Sequence, residues 1–284
     1  MELDEKMLKC KVSVQSGYRK LKSCVSISFV RYHLTKNQNL VAFCERQIKF
    51  SQGFGNGGFD ILNEAKIAKI FLAKAQIARP VVFDGGANVG NYSGAILSYF
   101  PNSQIVLFEP SSTARADLEK RFSDYPNVVI CKEALSKETG QGILWSDIPG
   151  SSLASLTKRD LDHHGIEFVN RESISLITLD DWIQLNGIVP DLIKLDVEGH
   201  EMDVLQGAEE ILKRVSLVTF EFGGCNIDTR TYFKDFWIFF EDAGFELFRI
   251  TKDRAVRINE YNESYEYFFP TNYIAVNKLL NLKA

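Results

Sequence analysis

Carboxylates and glycines stand directly after apolar runs in this chain, a pattern typical of ligand sites at strand ends. In VVFDGGANVGNYS, Asp84 ends an apolar run and is followed by Gly86 and Gly90. A dinucleotide-binding turn of the form G-x-G-x-x-G needs a middle glycine, and Ala87 stands in that place. A carboxylate in the turn would also repel a phosphate. The stretch therefore favours a cationic ligand over a pyrophosphate.

A second carboxylate, Glu109, ends the apolar run of IVLFEP. It can accept two charge-assisted hydrogen bonds from the vicinal hydroxyls of a ribose. The spacing from Gly90 occurs for nicotinamide dinucleotides and for S-adenosylmethionine alike. S-adenosylmethionine carries a sulfonium and an ammonium but no phosphate, so the two motifs together favour it. Further on, in CKEALSKETG, Glu133 and Ala134 are candidates for a polar contact and an apolar wall beside the adenine.

The stretch IKLDVEGHE carries three charged residues in alternate positions, Lys194, Asp196 and Glu198. On a strand these side chains would share one side. Buried charges are costly unless they pair, bind a metal or take part in chemistry, so a structural network is the alternative to a catalytic site. Asp196 is the candidate base. Glu221, which ends SLVTFEF, is a candidate base or substrate contact, and with Asp196 a candidate ligand pair for a divalent cation.

Strands and helices must alternate to bring these residues together. PVVFD, SQIVLFEP, NVVIC, DLIKLDVEG and SLVTFEF predict buried strands, and the runs between them predict helices, including EMDVLQGAEEILKR as one helix. This alternation indicates an α/β fold with a mostly parallel sheet and helices on both faces. FELFRI and NYIAVNK predict an antiparallel hairpin at one edge. Ligands of such sheets bind outside the carboxyl ends of the strands.

The 284 residues are enough for one large domain and an appendage. The glycine-rich SQGFGNGGFD predicts a boundary between an N-terminal segment, 1–60, and a main domain, 61–284. We interpret 1–60 as a cap or docking segment on the substrate side rather than a targeting peptide. The stretch 140–188 interrupts the alternation and is interpreted as an edge-strand insertion or lid.

Composition narrows the class of protein. A net charge of −4 argues against a nucleic-acid binder that acts by bulk phosphate neutralisation. Five scattered cysteines with no C-x-x-C pair fit a reducing compartment. No apolar run approaches the length of a transmembrane helix, so we expect a cytoplasmic location, with peripheral membrane contact left open. The oligomeric state does not follow from the sequence.

The motifs VVFDGGANVGNYS, IVLFEP, ITLDDW and IKLDVEGHEMDVLQGAEEIL together resemble the FkbM-type family of S-adenosylmethionine-dependent methyltransferases. The resemblance runs from about Asp84 to Glu221. It implies a Rossmann-like sheet of seven strands. It also implies cofactor contacts at Asp84, Gly86, Asn88, Gly90 and Glu109, to which we add the adjoining Ala87 and Pro110.

The resemblance further implies methylation of a hydroxyl of a sugar or natural product, and we expect Asp196 to assist this transfer. Methylation of a peptide side-chain amide nitrogen is the first alternative, so the acceptor is expected to be a small molecule, a glycan or a peptide. A nicotinamide-dependent oxidoreductase and a non-catalytic binding module are the others. The missing glycine at Ala87 counts against the oxidoreductase, and the carboxylates at Asp84, Glu109 and Asp196 count against the binding module.

Overall fold

The computed structural model describes residues 37–55, 57 and 61–279. The chain divides into two compact units, Met1–Lys49 and Phe50–Ala284. Helix α1 (Gln38–Ser51) begins in the first unit and has no buried side chain. Most of the predicted cap at 1–60 lies outside the described residues. Within the described ranges, no helix has both the length and the apolarity needed to cross a membrane.

A central sheet of eight strands forms the second unit, in the order β10-β9-β11-β8-β7-β1-β2-β3. Its strands are β1 (Val81–Gly85), β2 (Gln104–Phe108), β3 (Val128–Cys131), β7 (Leu192–Leu195), β8 (Leu217–Phe222), β9 (Phe245–Ile250), β10 (Ala255–Arg257) and β11 (Thr271–Asn277). The five strands from β8 to β3 are parallel. The order reverses between β1 and β7, and the strand ends there are the expected place for a ligand.

The C-terminal strands complete the sheet at its other side. β11 runs antiparallel to both β8 and β9, and β10 pairs with β9 at the edge. The antiparallel pairing of FELFRI with NYIAVNK is thus confirmed. The sheet has one strand more than predicted because the short β10 returns along β9.

Helices cover both faces of the central sheet, which gives two cores. On one face, α2 (Ile61–Lys74), α3 (Asn91–Tyr99) and α4 (Ser112–Arg121) pack against the strands. On the other lie α5 (Leu179–Asn186), α6 (Glu201–Gln206), α7 (Glu209–Leu212) and α9 (Phe233–Asp242), while α8 (Cys225–Thr229) follows β8. Aromatic pairs tie this second layer to the sheet: the ring centroids of Phe83 and Trp182 are 5.0 Å apart, and those of Phe220 and Phe236 4.8 Å.

The predicted single helix of EMDVLQGAEEILKR is wrong, because α6 ends and α7 begins on either side of Gly207. A Cβ at Gly207 would lie 2.3 Å from the Ser136 carbonyl oxygen. The Gly207 carbonyl accepts a hydrogen bond from the Asp180 N–H instead of continuing a helix. Close packing against two other segments therefore interrupts the helix at its glycine.

A small second sheet in the order β4-β6-β5 lies outside the central one. Its strands are β4 (Ala134–Leu135), β5 (Gly140–Ser146) and β6 (Asn170–Ile177). β5 and β6 form an antiparallel hairpin whose long connection includes a short 3-10 helix, Asp162–His164. The predicted insertion at 140–188 therefore contains this hairpin and α5.

Candidate active site

A cavity lies at the carboxyl ends of β1, β2 and β7, where the order of the parallel strands reverses. We call it the strand-end cavity. Its walls come from the turns after these strands, from β4 and β5, and from the connection between β5 and β6. The lining residues are Gly86, Asn88, Phe108, Glu109, Pro110, Ala134, Leu135, Leu144, Ser151, Ser152, Ala154, Ser155, Leu156, Asp196, Val197, Glu198 and His200.

The turn after β1 brings two of the predicted motifs into contact. Gly86 has a φ of +75°, and a Cβ there would lie 1.9 Å from the carbonyl oxygen of Asp196. Only glycine allows this approach at a left-handed φ. The turn that contains the predicted cofactor contacts therefore lies directly against the turn that contains the candidate base.

Glu109 is buried, and two backbone groups fix its carboxylate. The N–H of Asn88 donates to Oε2 and the N–H of Ser111 donates to Oε1, both at 2.8 Å. Burial raises the pKa of Glu109, and the two N–H donors oppose that shift. Each oxygen keeps a free lone pair for a hydroxyl.

An apolar wall formed by Phe108, Ala134, Leu135 and Leu144 stands in the same cavity. A carboxylate suited to vicinal hydroxyls and a surface suited to a purine are therefore together. These residues fit the adenosyl part of S-adenosylmethionine.

Several predicted cofactor residues do not line the cavity. Asp84 is buried beneath the turn, where it accepts a 2.6 Å hydrogen bond from Ser93 Oγ. A Cβ at Gly90 would lie 2.4 Å from the Phe122 ring, so this glycine permits close helix packing. Ala87 and Glu133 are also absent from the lining. Cofactor contact by these four residues stays a prediction.

The charged residues around Asp196 do not share one side of a strand as predicted. β7 ends at Leu195, and Glu198 adopts a left-handed φ of 51° in the following turn. Lys194 Nζ lies 3.0 Å from Asp196 Oδ2, whereas Glu198 Oε2 lies 2.8 Å from Nη1 of Arg159. The strand is too short to carry the alternation as far as Glu198.

Glu221 lies near this group but does not line the strand-end cavity. A Cβ on Gly57 would lie 2.2 Å from Glu221 Oε2, so Gly57 lies directly against this carboxyl group. Burial raises the pKa of Glu221 well above its ordinary value, and neighbouring carboxylates, Asp196 first, raise it further. Burial also raises the pKa of Glu198 to about 8 and that of Glu201 to about 6. Among the described residues, no three His, Cys, Asp or Glu side chains are grouped to hold a metal ion.

Sequence reasoning missed two features. The first is Arg159, nearly buried, which bridges Glu198 and Asp228. The second is a hydrogen-bonded series in which Thr157 Oγ1 lies 3.0 Å from His200 Nε2 and Asp203 Oδ2 lies 2.6 Å from His200 Nδ1. The spacing of His200 and Asp203 on one helix face was visible in the sequence, but no pattern marked Arg159 or Thr157.

Comparison with models of known protein families identifies the family of this chain. The model of the FkbM methyltransferase domain matches residues 84–247, which is more than half of the chain. The chain belongs to the FkbM methyltransferase family. The resemblance seen in the four motifs is thereby confirmed, and this family member is an S-adenosylmethionine-dependent methyltransferase.

Two curated relatives are similar to this FkbM methyltransferase. The 2-O-methyltransferase NoeI of Sinorhizobium fredii (strain NGR234) is 24% identical over 195 residues, 64% of this chain and 78% of NoeI. The hexuronic acid methyltransferase AglP of Haloferax volcanii is 27% identical over 164 residues, 57% of this chain and 63% of AglP. The chain thus spans less than two thirds of AglP.

Among solved structures, the methyltransferase FkbM from Methylobacillus flagellatus KT is also similar. It has 14% identity and a TM-score of 0.44, and the match covers 70% of this chain and 44% of that one.

Proposed function

We propose that this FkbM methyltransferase transfers a methyl group to a hydroxyl of a sugar or another small natural product. The observation that carries the proposal is that Asp196 lines the same cavity as Glu109, with 39% of its side chain exposed. A carboxylate that is open to solvent, beside the region where the adenosyl group would bind, can accept a hydrogen bond from a hydroxyl of the acceptor. The names of NoeI and AglP support the choice of a sugar hydroxyl over an amide nitrogen.

The residues of the cavity have distinct parts in this proposal. Glu109 holds the ribose hydroxyls, and Ala134 with its apolar neighbours packs on the adenine. When bound, S-adenosylmethionine supplies an electrophilic methyl carbon on its sulfonium. Asp196 accepts a hydrogen bond from a neighbouring hydroxyl of the acceptor and so directs the reacting oxygen toward that carbon. Alignment of the reacting atoms is the main contribution of such a site.

Lys194 fixes the Asp196 carboxylate from the buried side of the turn. In this proposal Glu198 lines the cavity beside Asp196, Glu221 lies outside the lining, and neither receives the methyl group. The divalent cation that the sequence left open at Asp196 and Glu221 is not part of this proposal. A cytoplasmic location also stays a prediction.

The test uses methyl-labelled S-adenosylmethionine and a panel of methyl glycosides that includes neutral hexoses, 6-deoxyhexoses, amino sugars and hexuronates. We expect labelled methyl ether from at least one glycoside. Asp196→Ala should reduce turnover by roughly 10²-fold while the affinity for S-adenosylhomocysteine stays within about threefold. Asp117→Ala, at an exposed position of α4, is the matched control and should behave as wild type.

Two outcomes would count against the proposal. Label in the side-chain amides of added peptides, with none in any glycoside, would establish nitrogen methylation instead. Wild-type turnover by Asp196→Ala would remove this carboxylate from the acceptor site.

A further inference from the structure

We propose that His200 is the general base of the methyl transfer and takes the proton of the acceptor hydroxyl at Nε2. The inference rests on the proposed function, because it concerns the hydroxyl that the site methylates. It is carried by the geometry of three side chains, Thr157, His200 and Asp203, at the wall of the strand-end cavity.

The contact between His200 and Asp203 fixes the tautomer of the imidazole ring. Nδ1 of His200 lies 2.6 Å from Oδ2 of Asp203. The hydrogen bond from His200 holds the pKa of Asp203 below its ordinary value, and Lys137, whose Nζ lies 3.7 Å from Asp203 Oδ1, adds to this. An ionised carboxylate can only accept, so Nδ1 must carry the hydrogen. The lone pair of neutral His200 is then on Nε2.

Nε2 of His200 faces the hydroxyl group of Thr157. Thr157 Oγ1 lies 3.0 Å from it, and with a lone pair on Nε2 the threonine hydroxyl is the donor. A carboxylate, an imidazole and a hydroxyl therefore stand in the series that prepares a hydroxyl for deprotonation in other enzymes. We infer that the Thr157 hydroxyl occupies the place that an acceptor hydroxyl takes at Nε2.

An acceptor can approach His200 Nε2 from the strand-end cavity. Thr157 directly follows Ser155 and Leu156, which line the strand-end cavity, and His200 lines it as well. Ser155 Oγ donates to the Glu198 carbonyl oxygen at 2.8 Å, and Arg159 pairs with Glu198 and Asp228, so this segment is held on both sides of Thr157. An entering acceptor that turns the Thr157 side chain away from His200 would free Nε2 for its own hydroxyl.

The charged groups around His200 come from three parts of the fold. Asp203 lies on α6, which begins directly after His200. Lys137 follows β4, and Asp196 and Glu198 lie in the turn after β7. Asp196 already has one oxygen engaged by Lys194. In general, the pKa of an imidazole lies closer to neutral pH than that of a carboxylic acid, which suits a general base. The geometry therefore assigns Asp196 to orienting the acceptor and His200 to receiving its proton.

The acceptor O–H bond breaks and its proton passes to Nε2, while the oxygen forms a bond to the methyl carbon. The carbon–sulfur bond breaks, and its electron pair stays on sulfur, which changes from a sulfonium to a neutral thioether. Imidazolium His200, stabilised by Asp203, then releases the proton to solvent.

The activity test compares His200→Gln with the exposed control His163→Gln on the glycoside that the wild type methylates. We expect His200→Gln to reduce kcat by roughly 10²–10⁴-fold with little change in affinity for S-adenosylhomocysteine. The acidic limb of the pH–rate profile should be lost in this variant. Imidazole added to His200→Ala should restore part of the rate, which would not happen if the histidine only supported the fold.

Two further variants separate the parts of the series. Asp203→Asn should move the acidic limb of the profile to lower pH, because the imidazolium loses its carboxylate partner. Thr157→Val should keep or raise kcat, because it removes the hydroxyl that occupies Nε2. A large loss of kcat in Thr157→Val would show that Thr157 relays the proton, and direct transfer to His200 would then be wrong.

The ring tautomer, measured by nitrogen NMR of the full chain, needs no acceptor. We expect the hydrogen on Nδ1. Hydrogen on Nε2, or full turnover by His200→Gln, would overturn the assignment. If the wild type methylates no glycoside, the proposed function fails, and the NMR tautomer still decides whether Nε2 of His200 can accept a proton.

Discussion

The ammonium of Lys194 lies 3.0 Å from a carboxylate oxygen of Asp196, and this ion pair joins the buried interior to the strand-end cavity. Lys194 is buried, whereas Asp196 is 39% exposed at its side chain. Asp84 lies on the buried side, 4.0 Å from the same ammonium. Burial alone would lower the pKa of Lys194, but Asp196 and Asp84 outweigh it and raise the pKa. Lys194 therefore stays charged and forms ion pairs with both carboxylates.

Lys194→Met should destabilise the protein strongly. The substitution leaves buried Asp84 without a cation, and loss of one partner of a buried ion pair costs about 3–5 kcal/mol. Urea denaturation measures the change in the free energy of unfolding. Lys213→Met removes an exposed ion pair with Glu210 and is the control, with an expected change of about 0–1 kcal/mol. Equal effects of the two substitutions would contradict the assigned role.

Glu109→Ala should weaken binding of S-adenosylhomocysteine by roughly 10²- to 10⁴-fold, because it removes two charge-assisted hydrogen bonds to the ribose, each of which contributes about 1.5–3 kcal/mol. Titration calorimetry gives the dissociation constant, and the melting temperature separates lost binding from lost folding. Glu119→Ala, at an exposed position of α4, is the matched control. An unchanged dissociation constant in Glu109→Ala would place the ribose elsewhere.

Glu64 predicts how stability depends on pH. Burial raises its pKa from 4.5 to about 7, although Lys194 opposes the shift. Between these values the folded state holds a proton that the unfolded state has lost, so stability is fully present below 4.5 and falls as pH rises to about 7. At about 1.4 kcal/mol per pKa unit, the loss approaches ~3 kcal/mol.

Glu64→Gln should lack this contribution. Its amide oxygen can still accept from Asn272 Nδ2, which donates to Glu64 at 3.3 Å. Glu198 and Glu201 shift in the same direction, so the informative quantity is the difference between wild type and variant. We expect Glu64→Gln to gain about 3 kcal/mol relative to wild type between pH 4.5 and 8 in urea denaturation. A constant difference would show that Glu64 titrates normally.

Methyl transfer should survive treatment with EDTA. A divalent cation at Asp196 and Glu221 would need both carboxylates ionised, but burial and then Asp196 raise the pKa of Glu221 well above its ordinary value. Lys194 already occupies one side of Asp196. The measurement is labelled methyl transfer after dialysis against EDTA, with and without added Mg²⁺ or Mn²⁺. Loss of activity that a metal restores would support the cation instead.

The strands and the class of enzyme could be predicted because their signals are local. PVVFD, SQIVLFEP and SLVTFEF are short apolar runs, and each forms a buried strand. Glu109 and Asp196 were found because they directly follow such runs, and topology alone brings parallel strand ends together.

The rest depends on contacts between segments far apart in the chain. Thr157 meets His200 across 43 residues, and Arg159 meets Glu198 across 39. Nothing in the sequence fixes how the connection after β5 folds over the cavity. The turn at Glu198 and the break at Gly207 were missed for the same reason, since neighbouring segments override the local periodicity.

The position of β11 has a consequence for synthesis. The strand lies between β8 and β9 and all its residues are buried. β8 and β9 leave the ribosome first, so each exposes an unpaired edge until Asn277 has followed. Open strand edges are templates for pairing with other chains. The nascent protein therefore exposes two open strand edges, at which another chain could pair, in the interval between the emergence of β9 and that of β11.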